Sequence, residues 1–514
     1  MSKAITVTHY GSVCSGTSPS DNPPKLKHTV FNTFASFGLA FTNIGILSNL
    51  SASFQAGLLS GGPVAMVCSW NVVAFFMLCV SLSLAEICSA YPLNGIYHWA
   101  YELVNAGGDT GVQWAPFAAF LTGWIYCLAG IIATATADLA VALSISSMLR
   151  IFSEGSIELS KSSILLLAVG ILIIHALLNI WDMQLISLMN EVSVWWSCGG
   201  LLVICAILAN YTPKHNDIWW VLTDYENYTG FTSVPYVVMI SMVCAGYTLF
   251  GCESVAQVAE ETEEASNATP IAMVASIAVS WLVGLLFLVC LLFYTQDIQS
   301  IEDTQFAMPI AQLFLDAVGS RLTMILLFVL VVSQFFTGCT TVTVVSRLIF
   351  SLARDRAFPL SQKVVHLNER DIPDTAIWIV TILSIACICP FPLNEFIFNA
   401  IISATTVTAN LTYGIVLLCK LLVPIKVRGP FHLGMFSFPV TVLGFIWSVF
   451  AVVAFVLPTR WPVTIDNFNY ASVGVTTLLV FTLANWWLWA RHKYHGPVVH
   501  DASSTLYISP TSVA

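Results

Sequence analysis

The chain has 514 residues, of which 57% are hydrophobic and only 9% are charged. Soluble domains are about 25% charged, so this composition excludes an ordinary soluble enzyme. The formal net charge is −10, which argues against nucleic acid as a partner, because proteins bind its phosphates with basic residues.

Twelve apolar segments follow one another along the chain, and a membrane helix needs about 20 such residues. They lie at residues 34–55, 63–85, 115–149, 163–180, 187–209, 234–256, 270–294, 321–346, 375–391, 396–419, 436–457 and 469–490. The third and the eighth are longer than a bilayer requires. The runs are continuous rather than alternating, which is typical of helices and not of a β-barrel. The sequence therefore predicts an all-α polytopic membrane protein with twelve transmembrane helices.

The lysines and arginines fall unevenly on the two sides of a membrane that is crossed twelve times. With the N-terminus in the cytosol, the cytosolic segments hold Lys3, Lys25, Lys27, Arg347, Arg354, Arg356, Lys363, Arg370, Lys420, Lys426, Arg428, Arg491 and Lys493. The outer segments hold Arg150, Lys161, Lys214, Arg321 and Arg460. Basic residues are enriched in cytosolic loops, so we predict that both termini are cytosolic.

One glycosylation sequence can test this topology. The sequence Asn-Tyr-Thr at Asn227 falls in a loop that the topology places outside, so we expect Asn227 to carry a glycan. The same pattern at Asn49, Asn267 and Asn410 falls within spans or on the cytosolic side, and we expect those residues to remain unmodified.

Two of the spans contain residues that are unfavourable in the interior of a helix. Residues 37–51 of the first span read FGLAFTNIGILSNLS, and residues 246–253 of the sixth read GYTLFGCE. Glycine, asparagine and serine lower helix propensity, so both helices are predicted to be interrupted. A pair of interrupted helices indicates an inverted-repeat transporter with a binding site at the membrane midplane.

Charged side chains within spans are costly, so each one is a candidate functional residue. Glu253 follows the glycines of the sixth span, and a purely structural, hydrogen-bonded role is the alternative for it. Asp138 in the third span is predicted to join a relay or a contact between helices. His175 is predicted to be a packing residue, and the acidic run at residues 260–264 a solvated cytosolic surface.

Aromatic side chains make up 12% of the chain, and most are expected to serve packing or the belts at the membrane interface. Trp124, Trp195 and Tyr247 are candidates for lining a binding pocket. Packing is the alternative for each of them.

The sequence lacks the patterns of the common enzyme sites. It contains no phosphate-binding Gly-Lys-Ser loop, no His-Glu-x-x-His zinc site and no Gly-x-Ser-x-Gly elbow. Nearly all of its 14 cysteines fall in or beside apolar runs, where cysteine packs as a small hydrophobic residue. We predict no enzyme activity, no cofactor and no metal site. Any accumulation of substrate would be secondary, because the short loops leave no room for an ATPase domain.

Four motifs resemble those of a known transporter superfamily. Residues 83–99 (SLAEICSAYPLNGIYHW) and 346–359 (SRLIFSLARDRAFP) resemble motifs of the amino acid–polyamine–organocation transporters. Residues 429–434 (GPFHLG) and 462–470 (PVTIDNFNY) are similar to the fungal amino acid/choline branch, which includes γ-aminobutyrate, choline, polyamine and thiamine permeases. The resemblance runs from about residue 30 to 497.

The resemblance implies the five-plus-five inverted repeat of the leucine-transporter fold with two added C-terminal helices. We predict a cytosolic tail at 1–31, a first repeat at 32–230, a second at 231–419, the added helices at 420–490 and a second cytosolic tail at 491–514. In the family, substrate binds at the unwound middles of the first and sixth helices. Carried over to this chain, the substrate-binding residues are Ser48, Asn49, Leu50, Ser51, Phe250, Gly251, Cys252 and Glu253.

The resemblance leaves the coupling ion open. Protons would use Glu253 or Asp138, whereas sodium would be held by carbonyls of the first helix and by hydroxyls such as Thr340, Thr341 and Thr343. The chain departs from the family pattern at two places, and the second bears on this question. Asn94 stands where a glycine is usual, and the fifth span has no lysine, which bacterial members often use as a fixed cation.

The sequence therefore predicts a secondary active permease that imports an amino acid or a γ-aminobutyrate-like ω-amino acid by alternating access, with protons favoured over sodium. Its partners would be this small substrate, the coupling ion and the lipid bilayer of a plasma or vacuolar membrane. The alternatives are an organic-cation permease for choline, polyamine or thiamine and, on the same fold, a nutrient sensor. A passive channel is the least favoured, since no filter-like loop is present.

Overall fold

The computed structural model describes residues 30–92, 95–393, 397–465 and 467–497. Twelve of its helices are long and apolar enough to span a membrane, which confirms the predicted all-helical polytopic fold. Spans 1 to 12 are Thr33–Leu58, Gly62–Ala90, Asp109–Phe152, Lys161–Trp181, Met183–Tyr211, Val234–Glu261, Ala265–Tyr294, Ile310–Arg354, Asp374–Leu393, Ile397–Leu422, Gly434–Ala454 and Ala471–His492. Shorter helices connect them at Gly95–Asn105, Ile218–Thr223, Ile298–Glu302 and Ser361–Val364.

Span 1 is two helices joined at a single glycine. Span 1a covers Thr33–Ile44 and is capped by Asn32, whose side chain accepts a hydrogen bond from the backbone N–H of Ala35. Gly45 then adopts φ 57°, a left-handed conformation that ends the helix, and span 1b begins at Ile46 and runs to Leu58. The predicted interruption is present, and it lies at Gly45.

Span 6 is interrupted in the same way. Span 6a is an α-helix over Val234–Thr248, and span 6b is a 3-10 helix over Cys252–Glu261. Between them Gly251 has φ 99°, and a Cβ atom at this position would lie 2.5 Å from Nδ2 of Asn43. Both the backbone angle and the close approach of span 1a therefore require glycine here.

Spans 3 and 8 are the longest spans among the described residues. They contain 44 and 45 residues and pack against each other. Span 8 consists of two helical segments joined at Gly319, where φ is 74°, and the first segment begins at Ile310, eleven residues before the apolar run. These two helices provide a frame beside the interrupted spans 1 and 6.

Spans 11 and 12 pack at the periphery, and their outward faces carry exposed apolar side chains such as Phe450, Val453 and Leu488. The order of the helices, with interruptions in the first and the sixth, fits a five-plus-five repeat followed by two added helices. The boundaries at 32–230, 231–419 and 420–490 stay a prediction. The predicted tails, 1–31 and 491–514, lie mostly outside the described residues.

Candidate functional site

The two interruptions face each other across one asparagine. The Asn43 side chain, at the end of span 1a, donates a hydrogen bond from Nδ2 to the backbone oxygen of Gly251 at 3.3 Å. Its Oδ1 accepts a hydrogen bond from Thr341 of span 8 at 3.1 Å. Asn43 is 8% exposed and thus ties spans 1, 6 and 8 together in the interior. Asn43 was not predicted as a site residue, although its place two residues before Gly45 was a usable signal.

Glu253 lies at the start of span 6b and is 1% exposed. Its Oε2 accepts a hydrogen bond of 2.6 Å from the Tyr413 hydroxyl of span 10, and the Tyr126 hydroxyl of span 3 also hydrogen-bonds the carboxylate. The Gly251 N–H donates to the same Tyr413 oxygen at 3.2 Å. These hydroxyls compensate for the loss of water around the carboxylate. The contacts of the two tyrosines with Glu253 were not predicted, because they depend on packing between distant spans.

The first-span residues predicted to bind substrate are not unwound. Residues 48–51 lie within span 1b, beyond the break at Gly45, and the prediction that they form the unwound segment is wrong. Their side chains bond back to the break: Oγ of Ser48 donates to the oxygen of Gly45 at 2.9 Å, and Nδ2 of Asn49 donates to that of Ile44 at 2.9 Å. Ser51 bonds within its own helix, and Leu50 is buried. Their role in substrate binding stays a prediction.

The N-terminus of span 1b has unpaired backbone N–H groups. The first backbone N–H groups of a helix, here those of Ile46 to Ser48, have no partner within the helix. No side chain caps this end among the described residues. The helix dipole adds a partial positive charge at the same place. A substrate carboxylate could therefore bind here without a basic side chain.

The hydroxyls of span 8 divide between two directions. Thr341 and Thr337 face span 1, and Thr337 donates to the backbone oxygen of Thr42 at 3.0 Å. Thr340 instead donates to Oδ1 of Asn190 in span 5 at 2.6 Å. Of the predicted sodium ligands, then, Thr341 faces the interruption and Thr340 does not. Thr343 also points elsewhere, since it bonds Asn179 in span 4.

The predicted pocket aromatics have three different environments. Trp195 is 70% exposed on the outside of the bundle, next to Phe34, so the prediction that it lines a pocket is wrong. Trp124 packs against Phe358 and donates from its indole N–H to Ala357, which is a packing role. Tyr247 is buried beside the interruption of span 6, with its ring 5.9 Å from that of Phe250.

A second buried carboxylate lies in the frame. Asp138 of span 3 and His175 of span 4 are both completely buried, with Oδ1 and Nδ1 2.8 Å apart. The prediction that Asp138 joins a contact between helices is thus confirmed in its geometry. His175 contacts the Phe335 ring, as a packing residue would, but its carboxylate partner was not predicted.

One end of the bundle is open. A cavity of about 600 Å³ is lined by the basic residues Arg150, Lys161 and Arg460, all predicted to lie outside. It reaches Ala52 and Gln55 of span 1b. We call this end the vestibule. It brings solvent to within about one helical turn of the predicted site residues Ser48 to Ser51.

At the other end, ion pairs join span 6b to span 8. Glu260 and Glu261 both lie at the end of span 6b. Oε1 of Glu260 is 2.8 Å from Nη2 of Arg354, and Oε1 of Glu261 is 3.4 Å from Nε of Arg347. The backbone N–H groups of Val30 and Phe31 donate to the oxygen of Glu261, which fixes the start of span 1a there. The prediction that the acidic run is a solvated surface is wrong for Glu260 and Glu261.

Asn227 is exposed and belongs to the loop that precedes span 6. Its backbone pairs with Ser60, and Tyr228 and Thr229 line a cavity together with Arg460. Asn227 therefore lies at the vestibule end, where the topology requires it. Asn49 and Asn410 are buried within helices, which agrees with their expected lack of modification. Glycosylation itself stays a prediction.

Comparison with known proteins gives a consistent picture. The family model described as amino acid permease matches residues 31–481. Amino-acid permease BAT1 of Arabidopsis thaliana is 29% identical over 91% of this chain and 93% of its own length. The GABA-specific permease of Saccharomyces cerevisiae is 25% identical over 91% of this chain and 83% of its own length. The choline transporter of the same yeast is 25% identical over 90% of this chain and 82% of its own length.

Proposed function

The chain belongs to the amino acid permease family, and from this premise we propose that it is a secondary active permease importing an amino acid or a γ-aminobutyrate-like ω-amino acid. It is a transporter and not an enzyme. The observation that carries the substrate proposal is the pairing of a buried carboxylate with an uncapped helix N-terminus at the meeting point of spans 1 and 6.

Each end of the substrate has a partner of opposite charge in this arrangement. The ammonium group binds beside Glu253, because a cation leaving water is stabilised only when it is paired. The carboxylate binds the free N–H groups at the start of span 1b. A substrate of this kind cancels both local charges when it binds, whereas a compound with only one of the two groups leaves one of them uncompensated.

Transport then requires the open end of the molecule to close and the closed end to open. The vestibule is open while the Glu260–Arg354 and Glu261–Arg347 pairs close the other end. Closure over the substrate and separation of these ion pairs would release it on the opposite side. We propose protons as the coupling ion and a cytosolic position for both termini, in a plasma or vacuolar membrane.

A specific observation favours an organic-cation permease as the second candidate. Tyr126 and Tyr413 both hydrogen-bond Glu253, and Tyr247 is buried near the same interruption. Tyrosine rings close to a carboxylate are also suited to a quaternary ammonium such as choline, if their faces turn toward it. One of the relatives is named a choline transporter.

The test is uptake by purified protein in liposomes. The panel contains labelled γ-aminobutyrate, common amino acids, choline, putrescine and thiamine, each under an imposed proton or sodium gradient. We expect proton-driven accumulation of γ-aminobutyrate or another amino acid. Accumulation of choline, putrescine or thiamine alone would favour the second candidate. Failure of both gradients to drive any compound would contradict the permease proposal.

A further inference from the structure

The Asp138–His175 pair is separate from the contacts that form the substrate site. The two side chains come from uninterrupted spans 3 and 4 and are 0% exposed, with their nearest polar atoms 2.8 Å apart. None of the carboxylate oxygens and ring nitrogens of the pair has a hydrogen-bond partner among the described residues, so Oδ1 and Nδ1 are close without being aligned as a hydrogen bond. Two ionisable groups are thus held against each other in the interior with unused hydrogen-bonding capacity.

The chemistry of this pair requires a proton on one of the two groups. A carboxylate oxygen and a deprotonated imidazole nitrogen would repel each other at 2.8 Å, so the contact is favourable only when the pair carries a proton. With that proton the pair is neutral, whether it is drawn as carboxylic acid and imidazole or as carboxylate and imidazolium. Without it the pair is an uncompensated negative charge in the interior, which is costly. Proton loss therefore changes the stability of this packing.

Span 8 connects the pair to the interrupted helices. Gly338 passes so close that a Cβ atom there would lie 2.3 Å from Oδ1 of Asp138 and 2.8 Å from Cε1 of His175. Its neighbour Thr337 donates to Thr42 of span 1a, and Thr341, one turn later, donates to Asn43. A movement of span 8 driven by the pair would thus reach the junction between spans 1 and 6 through direct contacts.

Other groups around the pair leave its charge unbalanced. Asn179 of span 4 donates to backbone oxygens of His175 and Cys339, and Thr343 of span 8 donates to Asn179. The Cys339 thiol of span 8 is the titratable group that interacts with Asp138. No lysine, arginine or glutamate contacts the pair among the described residues. The number of protons on the pair is therefore what sets its charge.

We propose that Asp138 and His175 form the proton-binding site that couples this permease to a proton gradient, separate from the substrate-binding carboxylate Glu253. The proton is taken from water on the outer side, held by the pair, and returned to water on the cytosolic side in the alternate conformation. No other bond forms or breaks. This inference rests on the proposed transport function and names its coupling site.

The test separates coupling from substrate binding. Parent protein, His175→Gln and Asp138→Asn are reconstituted in liposomes, and two rates are measured with the substrate found in the uptake panel. One is exchange of labelled for unlabelled substrate without a gradient, and the other is accumulation driven by a pH gradient. We expect both variants to exchange within about 3-fold of the parent and to accumulate at least about 10-fold less. A structural role alone would reduce the two rates together and would overturn the proposal.

A second buried histidine provides the matched control. His98 lies in the short helix Gly95–Asn105 outside the spans, and burial, followed by the charge of Arg354, lowers its pKa to about 4. This imidazole stays neutral across a gradient between about pH 5.5 and 7.5. His98→Gln should therefore retain proton-driven accumulation. Loss of accumulation in His98→Gln as large as in His175→Gln would contradict a specific role for the pair.

A measurement on the parent protein covers the case in which the variants do not fold. Infrared difference spectra between acidic and alkaline pH are recorded with ¹³C-aspartate and ¹⁵N-histidine labels. We expect bands of a buried aspartic acid or histidinium that respond to both labels, and their absence would overturn the proposal. If the parent itself accumulates nothing under any gradient, the transport function fails as well. If the parent and both variants accumulate equally, only the coupling site fails.

Discussion

The two buried carboxylates differ in what surrounds them. Glu253 begins a half-helix at an interruption, and tyrosine hydroxyls and backbone groups surround it. Asp138 lies within an uninterrupted helix of 44 residues and faces one imidazole. Hydroxyls stabilise a negative charge without cancelling it, so Glu253 remains able to attract a cation. An imidazole can bind the proton itself, so the pair of Asp138 and His175 is neutral when it holds one proton.

This difference assigns the two acids to separate tasks in one molecule. A carboxylate that binds substrate must be accessible from the vestibule and must release the substrate again, which suits a helix interruption between moving segments. An acid that senses protons needs a fixed partner at a fixed distance, which suits continuous helices.

The largest effect is expected for Glu253→Gln, which removes the negative charge and keeps the size of the side chain. Truncating one partner of a buried charge pair costs about 2–5 kcal/mol, so substrate affinity should fall by at least about 30-fold. The measurement is equilibrium binding of labelled substrate to purified protein. Glu253→Asp is the control and should retain part of the affinity. If Asp138→Asn lowered affinity as much as Glu253→Gln, the two acids would share one task.

Gly338→Ala should reduce stability, because its new methyl group would overlap Asp138 and His175. Overpacking of a buried contact costs about 1–3 kcal/mol, and the thermal unfolding midpoint in detergent measures it. The control is Gly170→Ala in span 4, where a Cβ atom would meet no other atom within 4 Å. Equal midpoints for the two variants would mean that the pair is not tightly packed against span 8.

A smaller effect is expected for Thr341→Val, which removes the hydrogen bond to Asn43 at the junction. A buried hydrogen bond contributes about 1 kcal/mol, so uptake should weaken by about 5-fold. Thr340→Val is the control, because this hydroxyl bonds Asn190 instead, and its uptake should stay within about 2-fold of the parent. If both variants lost only a sodium-dependent part of uptake, the threonines would act as sodium ligands and protons would not be the coupling ion.

The smallest effect is expected for Asn227→Gln. The exposed loop that holds Asn227 makes no contact with either acid, so uptake should be unchanged while one glycan is lost. The electrophoretic mobility of protein from a glycosylating eukaryotic host measures the glycan. An unmodified Asn227 in the parent would reverse the proposed orientation, and the vestibule would then open to the cytosol.

The spans could be predicted because long apolar runs have few other solutions in a membrane protein. The existence of two interruptions could be predicted as well, since Gly45 and Gly251 stand among other poor helix formers. The exact position of the interruption in span 1 could not be predicted, because low helix propensity identifies a stretch of residues and not a single residue. The glycine that adopts φ > 0 is accompanied by tertiary contacts, such as that of Thr337 with Thr42, which the sequence does not show.

Side-chain contacts between different spans could not be predicted from the sequence. Tyr413 lies 160 residues from Glu253, and nothing in its local pattern points to a carboxylate. The same limit explains the wrong prediction for Trp195, because a tryptophan in an apolar span can face lipid or the interior equally well. Glu260 and Glu261 were taken for a solvated surface because their arginine partners lie in another span.

The form of span 6b has a consequence for the distance that the closed end must travel. Its ten residues are a 3-10 helix, although runs longer than 3–4 residues are uncommon. At about 2.0 Å per residue the segment is roughly 20 Å long, whereas the same residues as an α-helix would be about 15 Å long. A change of this segment from a 3-10 helix to an α-helix would therefore shorten it by about 5 Å. This shortening would separate Glu260 and Glu261 from their arginines while Glu253 stays with its substrate.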